Sequence, residues 1–116
     1  MSGVVYPKAM EKQGLECLTP TGPMRERLNA AIFDQLCQGT FDPATTKLFL
    51  QAIDDLKSKG AQCVILGCTE IPLIVTSANS SLPTLDSTRL PARYAVREAV
   101  SARPITIKAG WLEILP

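Results

Sequence analysis

The feature that most constrains the fold is an apolar stretch, residues 63–75, interrupted once by the polar turn GCTE at residues 67–70. The aliphatic and β-branched residues between Gly60 and this turn are typical of a strand that is buried on both faces of a parallel sheet. Cys68 then follows the carboxyl end of the strand, which is the edge where open α/β sheets bind ligands. The stretch therefore predicts an α/β fold with a site at Cys68.

The residues after Cys68 favour the start of a helix. A Thr69 hydroxyl can cap free backbone N–H groups, a Glu70 carboxylate suits the positive end of the helix dipole, and Pro72 is tolerated in a first turn. A thiol at such a position has a lowered pKa, which makes Cys68 a candidate base or nucleophile. The alternative is that Cys68 is a small buried hydrophobe, the usual role of a free cysteine.

Helices and short strands alternate along the rest of the chain. Apolar residues that recur at helical spacing, together with proline, glycine and aspartate boundaries, predict helices over residues 4–14, 23–39 and 42–60. A further helix is predicted after Asp86 or Ser87, with Pro91 delaying or kinking it. Strands are predicted at residues 15–19 and 82–85, and residues 105–116 are either an edge strand or a loose tail.

The composition excludes several classes of site. The sequence has no histidine and its four cysteines form no Cys-x-x-Cys pair, so zinc sites of the usual spacing and Cys–His dyads are excluded. Cys17, Cys37 and Cys63 are expected to be reduced and to pack in the core. A net charge of +1 gives no bias toward nucleic acid or a membrane surface, and no apolar run could span a bilayer. We therefore expect a cytoplasmic domain with neither partner.

Three stretches resemble one family. Residues 64–75, VILGCTEIPLIV, closely resemble the second-cysteine motif of the aspartate/glutamate racemase superfamily, and Glu70 is similar to the aspartate racemase branch, since the glutamate racemase branch has His there. Residues 28–39, LNAAIFDQLCQG, resemble the family's helix ending in EELC-G, and residues 82–90, LPTLDSTRL, its P-hydrophobic-D-T-T stretch. The resemblance covers roughly residues 3–100, although Pro91 replaces the family's usual His.

The resemblance implies a parallel-sheet, three-layer (flavodoxin-like) α/β racemase lobe that is incomplete. It divides the chain into a partial lobe, residues 1–103, and a tail, residues 104–116. Family members have two such lobes, and each contributes one catalytic cysteine to the cleft between them. The first lobe, with its Cys-Asn-Thr motif, is absent from this sequence. The chain therefore resembles the carboxy-terminal half of such an enzyme.

The resemblance also implies roles for the turn residues. Racemisation without any cofactor needs two acid/base groups on opposite faces of the α-carbon, and Cys68 supplies one. Thr69 would hold the substrate carboxylate through its backbone N–H and hydroxyl. Glu70 would orient the substrate amine, tune the thiol, or serve only as a first-turn acid. Aspartate or glutamate is the expected substrate, and the isolated chain is expected to be inactive.

Two other functions stay open. One is a non-catalytic remnant that binds a partner chain or a small dicarboxylic acid, and the other is a single-cysteine decarboxylation or isomerisation of a diacid. In each case few strands are available to cover the apolar helix faces. We therefore expect a second copy, or the missing first lobe, to associate with the face beside Cys68 and Leu85.

Overall fold

A computed structural model describes residues 5–101 of the chain. In chain order the elements are α1 (Val5–Glu11), α2 (Gly22–Asp34), a 3-10 turn (Leu36–Gln38), α3 (Pro43–Ser58), β1 (Val64–Leu66), a second 3-10 turn (Ile71–Leu73), β2 (Thr84–Asp86) and α4 (Arg89–Val100). The predicted tail, residues 104–116, lies outside the described residues.

The two strands form an open parallel sheet. Val64 pairs with Thr84 and Leu66 with Asp86, so β1 and β2 begin and end at the same levels. The long connection between them is the kind of crossover that parallel strands require. Helices combined with a parallel sheet confirm the predicted α/β class.

The helix predicted over residues 23–39 forms as α2 followed by a 3-10 turn. Leu28, Ile32 and Leu36 are buried along one side, as their four-residue spacing predicts. Gly39 ends this segment in the left-handed region, with φ of 75°. A glycine adopts that conformation without the steric penalty of a Cβ atom.

The start of α3 is fixed by a side-chain cap. The Asp42 carboxylate accepts the backbone N–H of Ala44 at 2.7 Å, so the predicted cap is confirmed. Phe49, Ile53 and Leu56 are buried on the inner face of the helix. These side chains bring α3 against α2 and the sheet.

One core joins the helices to the sheet and to the segment that follows β1. The helical segments contribute Leu28, Ala31, Ile32, Leu36, Phe49, Ala52 and Ile53, and the sheet side contributes Leu66, Ile71, Ile74, Val75 and Leu82. Cys68 is half-buried and packs against this cluster. The core therefore packs against the buried side of the turn that follows β1.

The strand predicted at residues 15–19 is wrong. The segment has no assigned strand, and Leu15 and Leu18 are exposed. Extended backbone becomes a strand only when a neighbour pairs with it, and within residues 5–101 the sheet consists of β1 and β2. The apolar composition of residues 15–19 is therefore not enough to predict a strand.

The helix after β2 begins at Arg89, one residue later than a cap at Ser87 would place it and two later than a cap at Asp86, and Pro91 is its third residue. The first four N–H groups of a helix have no partner within it, so proline there removes no helical hydrogen bond. Pro91 therefore fits the first turn of α4. The residue before the helix is Thr88 rather than the predicted Asp86 or Ser87, although Oδ1 of Asp86 accepts the N–H groups of Thr88 at 2.9 Å and Arg89 at 3.1 Å.

Candidate active site

Cys68 lies beyond the carboxyl edge of the sheet, as predicted. Leu66 ends β1 and pairs with Asp86, which ends β2. Gly67 and Cys68 follow β1, while Ser87 follows β2 at the same edge. The turn of residues 67–70 thus occupies the edge at which α/β sheets bind ligands.

The α-helix predicted to begin at Thr69 or Glu70 does not form. Residues 68–70 form a bend, and only the single turn Ile71–Leu73 follows it. Cys68 therefore lacks the α-helix amino-terminus that was expected to lower its pKa.

Asn79 accounts for the missing helix. Its side-chain amide donates to the carbonyl of Ile74 at 2.9 Å and accepts the N–H of Thr76 at 2.8 Å. These bonds compete with helical hydrogen bonding, so the chain turns away after Ile74.

The cysteine and the glutamate of the turn contact each other directly. The Sγ of Cys68 donates a hydrogen bond to Oε2 of Glu70, with 2.8 Å between the two atoms. Both side chains are half-buried. The exposed Thr69 side chain also reaches the Glu70 carboxylate, so the structure brings the three predicted site residues together.

The expectation that Cys68 has a lowered pKa is wrong. Burial raises the pKa of the Cys68 thiol, and the hydrogen bond to the Glu70 carboxylate raises it further. Backbone hydrogen bonds from Glu70 and Ile71 act in the opposite direction but do not outweigh these effects. The thiol therefore keeps its proton at neutral pH.

Glu70 has the complementary shift. Hydrogen bonds from the side chains of Cys68 and Thr69 lower the pKa of the Glu70 carboxyl group. At neutral pH the pair is therefore a protonated thiol and an ionised carboxylate. Such a thiol can donate a proton at once, whereas its use as a base requires the proton to be released first.

Two neighbours of the turn were not identified from the sequence. Ser87 donates from Oγ to the carbonyl of Leu66 at 2.8 Å, whereas the sequence predicts it only as a helix cap and as part of the motif at residues 82–90. Tyr6 lies over the turn, since a Cβ atom built on Gly67 would be 3.7 Å from its ring. No local spacing signals that second contact, because α1 and β1 are far apart in sequence.

A concave region of the structure lies away from Cys68. The groove has a volume of about 320 Å³, lies between α2 and α3, and includes Arg27, Asp34 and Gln35 in its lining. The side chain of Thr45 on α3 is buried and hydrogen-bonded to Gln35. The groove contains none of the three predicted site residues.

Residues 5–101 provide no evident metal centre or membrane anchor. No three His, Cys, Asp or Glu residues within this range are grouped so that they could hold a metal ion. No helix in the same range combines the length and apolarity needed to cross a bilayer.

Comparison with known families decides the identity of the fold. The sequence profile described as Asp/Glu/Hydantoin racemase matches residues 2–95, which is most of the chain. The chain belongs to the Asp/Glu/hydantoin racemase family. The predicted resemblance is thus confirmed at the level of the family.

Two crystal structures are similar to this racemase-family chain. A candidate Asp/Glu racemase from Yersinia pestis is 34% identical, with a TM-score of 0.76, over 82% of this chain and 41% of its own length. An aspartate racemase homologue from Pyrococcus horikoshii is 31% identical, with a TM-score of 0.75, over 83% of this chain and 42% of its own length. This racemase-family chain thus spans about two-fifths of either structure.

The other cysteines of this racemase-family chain do not pack in the core as predicted. Cys37 and Cys63 are exposed, and Cys17 is half-buried. The short 3-10 turn exposes Cys37, and β1 begins one residue after Cys63. These thiols provide internal references for the reactivity of Cys68.

Iodoacetamide at neutral pH is expected to label Cys37 and Cys63 before Cys68. The raised pKa of Cys68 leaves little thiolate at this pH, and the thiolate is the nucleophile. Replacing Glu70 with glutamine removes a negative charge and a strong acceptor, so the pH midpoint for labelling Cys68 should fall. Mass spectrometry of the Cys68 peptide across a pH series measures this shift.

The Glu26→Gln variant is the control, because it removes the same charge from an exposed position on α2. It should leave the pH midpoint for Cys68 unchanged. Labelling of Cys68 ahead of both exposed thiols, or an unchanged midpoint in Glu70→Gln, would contradict the assigned role of the hydrogen bond.

Proposed function

We propose that this chain provides one half of the active site of a cofactor-independent racemase acting on aspartate or glutamate. The observation that carries the proposal is the 2.8 Å hydrogen bond between the Cys68 thiol and the Glu70 carboxylate at the carboxyl edge of the sheet. Racemisation removes the α-proton on one face of the carbon and returns a proton on the other. Cys68 is the acid/base group for one of these faces.

Thr69 and Glu70 are the proposed substrate-binding residues. Thr69 is exposed, so its hydroxyl and backbone N–H can reach the α-carboxylate of a substrate. The ionised Glu70 carboxylate can pair with the substrate ammonium group. That pairing weakens the hydrogen bond from Cys68 and offsets the negative charge beside the thiol, so substrate binding itself lowers the pKa of Cys68.

The second acid/base group comes from a polypeptide that this sequence lacks. Cys17, Cys37 and Cys63 do not follow a motif resembling the first-lobe site. The shared coverage of only 41% and 42% of the two similar structures is consistent with a missing lobe. We therefore propose that the isolated chain is inactive as a racemase. Four unpaired cysteines also favour a reducing compartment such as the cytoplasm.

A specific observation is also compatible with the second function, a non-catalytic chain that binds a partner. No residue of α4 is buried, although Leu90, Tyr94, Val96 and Val100 are apolar or aromatic. Exposed apolar side chains gathered on one helix are a candidate interface. The proposed occupant is a second copy of the chain or the missing lobe, and this interface is compatible with either function.

Titration with aspartate distinguishes a substrate site from a packing surface. In 15N–1H NMR spectra of the purified chain, we expect the largest shifts at the amides of residues 67–71, because Thr69 and Glu70 contact the ligand. Thr69→Ala should weaken binding by about 2- to 10-fold, the usual effect of one lost hydrogen bond. Thr46→Ala, on α3, is the matched control.

The competing results are equally specific. Shifts confined to the groove residues Arg27, Gln35 and Thr45 would relocate the binding site to the space between α2 and α3. Absence of any shift at millimolar aspartate and glutamate would favour the non-catalytic alternative.

A further inference from the structure

Ser87 holds the last carbonyl of β1. Its Oγ donates to the oxygen of Leu66 at 2.8 Å, and its backbone N–H donates to the same oxygen at 3.3 Å. Leu66 itself is buried, with 3% of its surface exposed, while Ser87 is half-buried. One residue beyond β2 thus contributes two donors to the end of the neighbouring strand.

The carbonyl of Leu66 determines how the chain enters the active-site turn. This oxygen belongs to the planar peptide unit that joins Leu66 to Gly67, so fixing the oxygen also fixes the orientation of the Gly67 nitrogen. Gly67 has no side chain to restrict the next dihedral angles. Because no α-helix follows Cys68, the direction of the turn depends strongly on this anchor.

The neighbouring carboxylate does not compete for the Ser87 hydroxyl. Oδ1 of Asp86 accepts the N–H groups of Thr88 and Arg89, and it also accepts the Thr88 hydroxyl at 2.6 Å. Asp86 therefore organises the start of α4, whereas Ser87 serves the turn on β1. Adjacent residues of one motif thus have separate structural roles.

We propose that Ser87 is a positioning residue that holds the Cys68 thiol against Glu70 through the Leu66 carbonyl. A catalytic role for Ser87 rests on the proposed function. Its effect on the position of the Cys68 thiol does not, and can be measured separately. Loss of the hydroxyl would leave only the longer 3.3 Å bond to Leu66. The turn would then sample more conformations, and the Cys68–Glu70 hydrogen bond would be populated less often.

Alkylation of Cys68 tests the proposal without requiring any racemase activity. Ser87→Ala should increase the iodoacetamide rate at Cys68 near neutral pH by about 2- to 10-fold, the equilibrium effect of one hydrogen bond. Ser87→Thr retains the hydroxyl and should restore the wild-type rate. Ser80→Ala is the matched control, since Ser80 Oγ also donates to a backbone carbonyl, that of Leu82, at 2.8 Å, but before β2.

A pair of isosteric variants covers the case in which Ser87→Ala does not fold. Ser87→Thr and Ser87→Val have similar volumes and differ by a hydroxyl in place of a methyl group. Cys68 should be labelled faster in Ser87→Val than in the wild-type chain, and at the wild-type rate in Ser87→Thr. Circular dichroism and a thermal melt identify which variants are folded before their rates are compared.

The Glu70→Gln background separates positioning from general loosening of the sheet. If Ser87 acts through the Cys68–Glu70 bond, Ser87→Ala should change the rate and pH midpoint of Cys68 labelling much less once Glu70 is glutamine. The same fold-change in both backgrounds, or an unchanged rate in Ser87→Ala, would overturn the proposal. A Ser87 effect in a chain that binds no aspartate would uphold the positioning role and reject the proposed function.

Discussion

Purified 116-residue chain is expected to convert neither L-aspartate to D-aspartate nor L-glutamate to D-glutamate at a useful rate. One positioned acid/base group contributes roughly 10²–10⁴-fold to such a reaction, and only one of the two required groups is identified in this chain. Chiral chromatography after prolonged incubation, starting from each enantiomer separately, measures the conversion. The rate should not exceed that of the Cys68→Ala variant by more than a small factor.

Racemisation by the purified chain would have one of two meanings. Rapid racemisation that Cys68→Ala abolishes would mean that a residue of this sequence serves as the second acid/base group. Tyr6 would then be the first candidate to replace with phenylalanine, because its ring lies next to Gly67. Racemisation that survives Cys68→Ala would remove Cys68 from the mechanism.

Replacing both Val96 and Val100 with glutamate is expected to weaken association of the chain by about tenfold or more, since interface anchors contribute over 1 kcal/mol each. The two side chains are 63% and 79% exposed and lie one helical turn apart on α4. Carboxylates at these positions would have to be desolvated in any interface. Size-exclusion chromatography with light scattering, across a concentration series, measures the effect.

Phe33→Glu is the matched control for the α4 variant. Phe33 is also apolar and exposed, but it lies on α2. It should leave the association constant unchanged. A wild-type chain that stays monomeric at every concentration, melts cooperatively and binds no hydrophobic dye would contradict the assignment of α4 as an interface.

Helix positions in this protein could be predicted because local signals agree with the packing. Asp42 and Gly39 are boundary residues whose side-chain chemistry or backbone freedom acts within a few positions, and both behave as predicted. Leu28, Ile32 and Leu36 are buried because their spacing places them on one helical face. In these segments local preference and tertiary packing favour the same structure.

The failures concern interactions between residues whose pairing the sequence does not specify. Residues 15–19 have the composition of a strand, but strand formation depends on a neighbour elsewhere in the chain. The turn at Cys68 has good helix-start residues. The Asn79 side chain, however, donates a hydrogen bond to the Ile74 carbonyl, and no α-helix continues beyond this residue. The pKa of Cys68 also shifts opposite to the expected direction, because burial and the hydrogen bond to the Glu70 carboxylate raise it.

The site itself was predictable in part. Cys68 could be located from the strand that precedes it, since the carboxyl end of a parallel strand is a general ligand-binding position. The contact between Cys68 and Glu70 requires the bend of residues 68–70, which brings side chains two positions apart together. Ser87 joins the site only through the register of β1 and β2, which no short-range pattern encodes.

Exchange of the substrate α-proton with deuterated solvent tests most directly whether Cys68 is an acid/base group. Slow deuterium incorporation is expected into only one enantiomer of aspartate or glutamate, with configuration retained, because a single group removes and returns the proton on one face. Cys68→Ser should abolish the incorporation, whereas Cys37→Ser, at an exposed thiol, should not. Undiminished exchange in Cys68→Ser, or no exchange from either enantiomer by the wild-type chain, would contradict the account.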